Sequence, residues 1–189
     1  METGTIVLAV IGGVALIVLL WFFGTYNGLV RLRQHLRESW AGIETELQRR
    51  YDLIPNLVET VKGYAAHERS VLERVVELRN AAAASTGSPE HQAADENRLI
   101  GGLRQMFAVV ENYPQLKADR NFLHLQRELV NTEDRIQAAR RFYNANVRDL
   151  NTRIESVPSN VVAGMFDFRR GEYFEIEEAS VRAAPAVNL

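Results

Sequence analysis

No cysteine occurs anywhere in this 189-residue chain, which excludes disulfides and thiolate metal sites. The charge is nearly balanced, at -2 with a pI near 6.1, so no global field draws the protein to nucleic acid or anionic lipid. Basic doublets stand at Arg49-Arg50, Arg140-Arg141 and Arg169-Arg170. They read as solvated or paired helix residues, not as a phosphate-binding surface. Motifs of chemistry are missing as well. The four histidines, His35, His67, His91 and His124, are scattered over different segments. No Glu-x-x-His repeat of a helical di-iron site is found, and His67-Glu68 lacks the second histidine of a zinc-protease helix. Neither a phosphate-binding Gly-x-x-x-x-Gly-Lys loop nor a Gly-x-Ser-x-Gly elbow is written. The expectation is therefore a protein without catalytic, cofactor or metal residues, acting by contact and binding no nucleic acid.

What the chain does have is one long uncharged run, Ile6 to Phe23, extended by Thr5 and Gly24-Thr25 to the length that spans a bilayer. Ile6, Leu8, Ile11, Val14, Leu16 and Leu19 supply its apolar body. Trp21, Phe22, Phe23 and Tyr26 cluster at its far end, where aromatic rings favour the lipid–water boundary. A cleaved signal peptide would want basic residues ahead of the run and small residues at its exit. Here Glu2 precedes the run and bulky rings close it, so an uncleaved anchor over 5–25 is expected. Arg31, Arg33 and Arg37 follow the run closely, which by the positive-inside tendency puts residues 1–4 outside and the rest in the cytoplasm.

Helical periodicity resumes without a linker. Leu29, Leu32, Leu36, Trp40, Ile43 and Leu47 are spaced by steps of three and four, the signature of one apolar helix face and, sustained, of coiled-coil packing. The longest such stripe runs from Asp119 to Ser156 through Phe122, Leu125, Leu129, Ile136, Tyr143, Leu150 and Ile154, a helix of about 57 Å at 1.5 Å per residue. A stripe of that length demands partner helices. Between these two stretches, Pro55 predicts either a kink or a break, and the helix is expected to continue through Leu72, Val75 and Leu78 to Ala84. Ser85 to Pro89 reads as a loop, with Ser88 and Pro89 as N-cap and first helical residue of the next element. Gly101-Gly102 inside that element predicts a close helix approach or a bend, and Tyr113-Pro114 ends it. The fold expected is all-α: a transmembrane helix continuing into a long antiparallel up-and-down four-helix bundle over 26–158, with a short, partly extended tail over 159–189.

Three groups of residues stand out as candidate interaction sites. His67 and Glu68 fall where the apolar stripe should pass, and read as a buried register-fixing pair. Gln126, Glu133 and Arg140, seven residues apart, with Tyr143 and Asn144, form a polar row beside the core. Their expected partners are Arg49, Asp52, Asn56 and Glu59 on a facing helix. Phe166, Phe168, Tyr173 and Phe174 give the tail too much apolar surface to leave in water, so it is expected to dock on the bundle or on another copy.

Read together, these segments resemble the LemA family of bacterial membrane proteins. The resemblance is carried by Tyr26-Asn27 and Leu29-Val30, by the run Arg49 to Tyr64 with His67-Glu68, and by Tyr113-Pro114 and Leu116-Lys117. It continues through Phe122, Leu125-Gln126, Glu128-Leu129, Thr132-Glu133, Arg135-Ile136, Arg140 and Tyr143-Asn144 to Pro158-Ser159-Asn160. Val157 and Gly42 depart from the family's usual residues, which touches local packing only. The resemblance implies an N-terminal anchor and a long antiparallel helical bundle, and carries over no activity, because the family has no agreed catalytic residues. One branch is associated with membrane remodelling in organelle-forming bacteria. Two functions are therefore expected: a membrane-tethered scaffold or adaptor for unidentified protein partners, or a self-associating, membrane-organising homo-oligomer. A regulator of membrane protein quality control is a weaker third.

Overall fold

The computed structural model describes residues 2–176. Six α-helices follow in order: α1 Glu2–Lys62, α2 Arg69–Ala83, α3 Pro89–Val110, α4 Pro114–Lys117, α5 Arg120–Glu155 and α6 Ser159–Met165. No strand is formed among the described residues. The described residues divide into two units, one of residues 2–38 and 145–171, the other of residues 39–144 and 172–176.

In the second unit, four helical segments pack as the apolar stripes require. Ile43, Leu47, Ile54, Leu57 and Val61 of α1 are buried with Leu72, Val75 and Leu78 of α2, Leu99, Leu103 and Met106 of α3, and Phe122, Leu129 and Ile136 of α5. Full burial of each such side chain is worth about 1.5–3 kcal/mol before chain entropy is charged against it. The short connections leave no room for crossovers, so neighbours run up and down. Ser88 caps α3, its hydroxyl accepting the His91 amide at 3.4 Å, with Pro89 at the first helical position. Asp119 caps α5 by accepting the Phe122 amide at 2.8 Å. That amide, with the Tyr64 hydroxyl at 3.0 Å, holds the Asp119 carboxyl below the usual range. Of the two glycines in α3, Gly101 faces open space, whereas a Cβ on Gly102 would lie 2.7 Å from Leu78 Cδ1. The glycine pair thus marks a close approach of α2 and α3.

Pro55 does not end α1, which runs on to Lys62. A proline in a helix interior cannot donate to the carbonyl four residues back, here that of Tyr51. The Arg79 guanidinium of α2 fills that vacancy, its Nε donating to the Tyr51 carbonyl at 3.0 Å. An interhelical hydrogen bond replaces the missing intrahelical one. The reversal comes later, at Gly63–Ala65, followed by a 3-10 turn over Ala66–Glu68. The continuous helix expected from Pro55 through His67 is therefore corrected: the chain turns where Gly63 interrupts the propensity, and α2 begins afresh at Arg69.

In the first unit, residues 6–20 of α1 are exposed on every side, as a segment solvated by lipid must be. Contact with the rest of the unit begins at Phe22. Leu29, Leu150, Val162, Ala163 and Phe168 form a buried cluster, with Phe22, Tyr26, Leu36 and Ile154 packed against it. Helix α6 belongs to this cluster and occupies the first part of the 159–189 tail. Ser159 anchors its start, its hydroxyl donating to the Arg153 and Ser156 carbonyls. Of the 159–189 tail, residues beyond 176 lie outside the described residues.

Candidate functional site

The polar centre of the second unit is built on Arg50, whose side chain is completely buried. Its position follows from the helical phase: Ile43, Leu47, Arg50, Ile54, Leu57 and Val61 alternate steps of four and three, so Arg50 occupies a core position. Nη1 reaches both oxygens of Glu133 on α5, at 2.9 and 3.2 Å, and Nη2 pairs with Glu96 on α3. The other Glu96 oxygen accepts from the Tyr51 hydroxyl. One guanidinium thereby ties three helices together, its two terminal nitrogens each serving a different carboxylate. Burial works against the Arg50 charge, but Glu96 and then Glu133 outweigh it and raise its pKa. For Tyr51, burial first and the Glu96 charge second push the phenol upward, so it stays protonated and donates. Arg79 stands over the same ring, 5.9 Å from its centroid.

A second polar set receives the tail. The Tyr143 hydroxyl donates to the Glu172 carbonyl at 2.9 Å, and Arg140 Nη1 donates to the Ile176 carbonyl at 2.8 Å. Asn144 brackets Phe174 from both sides: its amide donates to the Phe174 carbonyl at 3.1 Å and its oxygen accepts the Phe174 amide at 3.0 Å. From the other side, Asn97 on α3 donates to the Glu175 carbonyl at 3.2 Å. The register has a simple origin. Arg140 and Asn144 are about 6 Å apart along α5, and two residues of extended chain, Phe174 to Ile176, cover about 6.6 Å. Phe174 and Ile176 point inward, Tyr173 and Glu175 outward, and the Phe174 ring meets Trp40 edge-on at 5.4 Å. Burial, and after it the Glu172 charge, raise the Tyr143 phenol to about 12. Within the first unit, Asn151 makes the same two-bond bracket with Gly171, at 3.0 and 2.8 Å.

The structure thus redistributes the polar residues picked out by spacing. Glu133 is buried, but its partner is Arg50; Arg49 lies on the surface beside Glu46, 3.7 Å away on its own helix. Asp52, Asn56 and Glu59 are also exposed; within α1 the Asp52 and Glu59 carboxylates accept from Gln48 and Lys62, and the Asn56 main-chain carbonyl accepts from the Thr60 hydroxyl. One residue decides this: position 49 falls off the buried stripe and position 50 falls on it. Gln126 is half-buried, while Arg140, Tyr143 and Asn144 bind the tail backbone in place of a facing helix. His67 is exposed and Glu68 half-buried in the 3-10 turn, so neither fixes the register of a buried layer. Phe174 and Phe168 are buried, whereas Phe166 and Tyr173 remain largely exposed. Sequence reasoning missed Arg50 and Glu96, which the stripe phase could have revealed. It also missed Asn97 and Asn151, for which only the row Asn144–Asn151 at seven-residue spacing gave a signal.

No group of three or more histidine, aspartate or glutamate side chains is placed to hold a metal among the described residues. At the far end of the second unit, a groove of about 670 Å³ between α1 and α2 has Val58 and Leu72 at its floor, with Glu59, Lys62, Arg69 and Glu73 around it.

Comparison with known proteins decides the kinship. The LemA family model matches residues 39–189. The chain belongs to the LemA family. Magnetosome proteins MamQ 1 and MamQ 2 of Paramagnetospirillum magneticum are each 29% identical over 179 residues, covering 82% of this chain and 66% of theirs. Protein LemA of Metamycoplasma hominis is 25% identical over 160 residues, covering 83% of this chain and 72% of its own. The matched region spans just under two thirds of the MamQ relatives' length. Membership extends over the Arg50 node, the Asn144 bracket and the tail. The family match begins at Ser39, beyond the apolar part of α1, which is itself long and apolar enough to cross a membrane. Together these observations describe a LemA-family helical protein with a membrane location.

Proposed function

We propose that this LemA-family protein is a single-pass, membrane-anchored scaffold that acts without catalysis, presenting its helical bundle to protein partners at the cytoplasmic face of the inner membrane. The observation that carries this reading is the closure of the Arg50 node. The Arg50 node is sealed from solvent, with both terminal nitrogens of the guanidinium paired to carboxylates and only Nε left without a partner, an arrangement suited to fixing helix register and not to turning over a substrate. The apolar run and one wall of the bundle share a single helix, α1, so partners held by the bundle are held at the lipid surface. The α1–α2 groove, with its apolar floor and charged rim, is the surface such a partner would use.

Orientation is tested with the cysteine-free background. A single cysteine replacing Thr3 is expected to react with an impermeant maleimide on intact cells, and one replacing exposed Ser70 is expected to react only after lysis. The reverse pattern overturns the cytoplasmic assignment. Crosslinking from introduced photoreactive residues at Glu59 or Glu73 is expected to trap a heterologous protein; recovery of no partner from either position counts against the adaptor role.

A second reading, a membrane-organising homo-oligomer, is favoured by the kinship to proteins named for the magnetosome. Ala9, Gly12 and Gly13 add a patch of small residues that is unobstructed on the lipid side and permits close helix contact. Native mass measurement of the full-length protein in mild detergent separates the two: a monomer supports the tethered adaptor, and a defined multimer supports the assembly.

A further inference from the structure

Beyond the anchor, exposed large apolar residues are few and unevenly placed. Among the described residues after Phe23 there are eight, and four of them, Val157, Val161, Met165 and Phe166, fall within ten positions at and around α6. Their relative exposures are 82%, 61%, 65% and 45%. Scattered single apolar residues on a surface need no explanation, whereas a cluster does. Positions 161 and 165 are one helical step of four apart and so line one side of α6, while Val157 and Phe166 flank its two ends. The other side, Ser159, Val162 and Ala163, is buried against the cluster that includes Leu29. A helix apolar on both faces, with only one face covered by protein, has a second apolar medium against the other.

The location identifies that medium. The Phe166 ring lies 5.9 Å from Phe22 and 4.7 Å from Tyr26. Phe22 is part of the uncharged run itself, and Tyr26 stands only about 4.5 Å further along α1 than Phe23. Helix α6 is thereby fixed beside the lipid–water boundary, adding a fifth ring from far along the sequence to the aromatic belt of Trp21, Phe22, Phe23 and Tyr26.

We infer that α6, with Val157 and Phe166 at its two ends, is a second membrane contact: an interfacial helix whose outer face is seated in the lipid headgroup and upper acyl region alongside the spanning segment. This inference rests on the membrane-spanning reading of residues 6–23. It makes the return of the chain after α5 a lipid-bound foot of the first unit, not a solvent-exposed turn.

The test uses the full-length protein carrying one cysteine at a time, at Leu16, Val161, Met165 or Ser70, labelled with an environment-sensitive fluorophore. The protein is reconstituted in vesicles of phosphatidylethanolamine and phosphatidylglycerol. Leu16 reports the spanning segment, Ser70 the bulk solvent. Labels at Leu16, Val161 and Met165 are expected to lose emission to nitroxide-tailed lipids, and the Ser70 label only to aqueous iodide. Quenching of Leu16 by lipid with Val161 and Met165 answering to iodide alone overturns the interfacial helix while leaving the span intact. Val161 and Met165 shielded from both quenchers means that a protein surface covers them, which also overturns it. A Leu16 label untouched by lipid quenchers removes the span, and the inference falls with it.

Discussion

Replacing Arg50 by Met is the perturbation that tests the buried node most directly. The methionine fills comparable volume, so the cost lies in charge, not in a cavity. Two carboxylates, Glu96 and Glu133, remain buried on α3 and α5 with their common counter-ion gone, and Tyr51 alone still donates to Glu96. Breaking a buried ion pair from one side costs about 3–5 kcal/mol. In a chain of this size each kcal/mol moves the melting midpoint by about 2–4 °C, so Arg50→Met is expected to lower Tm by about 6–20 °C. Circular dichroism melts of the full-length protein in detergent measure it. Replacing all three charged residues together, Arg50→Met with Glu96→Met and Glu133→Leu, removes the uncompensated charges and is expected to recover most of that loss. A single mutant melting within about 2 °C of wild type, a shift of no more than about 1 kcal/mol, refutes the burial of a paired guanidinium. A triple mutant no better than the single one refutes the assignment of the cost to unpaired carboxylates.

Other outcomes follow from the same geometry. Arg79→Met leaves the Tyr51 carbonyl without its interhelical donor and is expected to cost about 1–3 kcal/mol in denaturant melts, with Pro55→Ala offsetting part of it by restoring an amide donor at position 55. Asn144→Ala deletes both bonds that bracket Phe174, and limited proteolysis is expected to cut between residues 166 and 176 faster than in wild type, with the helices still resistant. The Tyr143 phenol, raised to about 12 by burial and then by Glu172, favours the folded state while protonated. Its contribution is complete below the unfolded value of about 10 and is lost as pH rises from there toward 12. Tyr143→Phe is expected to flatten that part of the alkaline melting profile.

The helices were legible because each carries a continuous apolar stripe and explicit ends: Ser88-Pro89 opens α3 and Asp119 opens α5, as the caps require. The reversal after α1 was not. Pro55 draws attention as the breaker, yet what stops a helix is an unmet backbone group, and Arg79, distant in sequence, meets it. Gly63 and His67, unremarkable locally, mark the actual turn. The polar row on α5 is visible as a pattern in the sequence, but its partners, Arg50 and the tail backbone, are not. Heptad spacing shows which side chains share a face and is silent on whether a helix or an extended backbone lies opposite. Arg50 and Glu96 are charged side chains at buried positions, which residue type alone does not reveal, although the phase of α1 places Arg50 inside.

The asparagine bracket carries a consequence for variation. Asn144 grips the peptide unit of residue 174, and Asn97, Arg140 and Tyr143 take carbonyls, so most of the recognition ignores side-chain identity. Only the inward positions, 174 and 176, answer to shape; 173 and 175 face away. Substitutions at the outward pair can therefore change what this ribbon displays to its surroundings while its seat on the helices stays as it is, a division of labour that leaves one strip of the surface free to diversify.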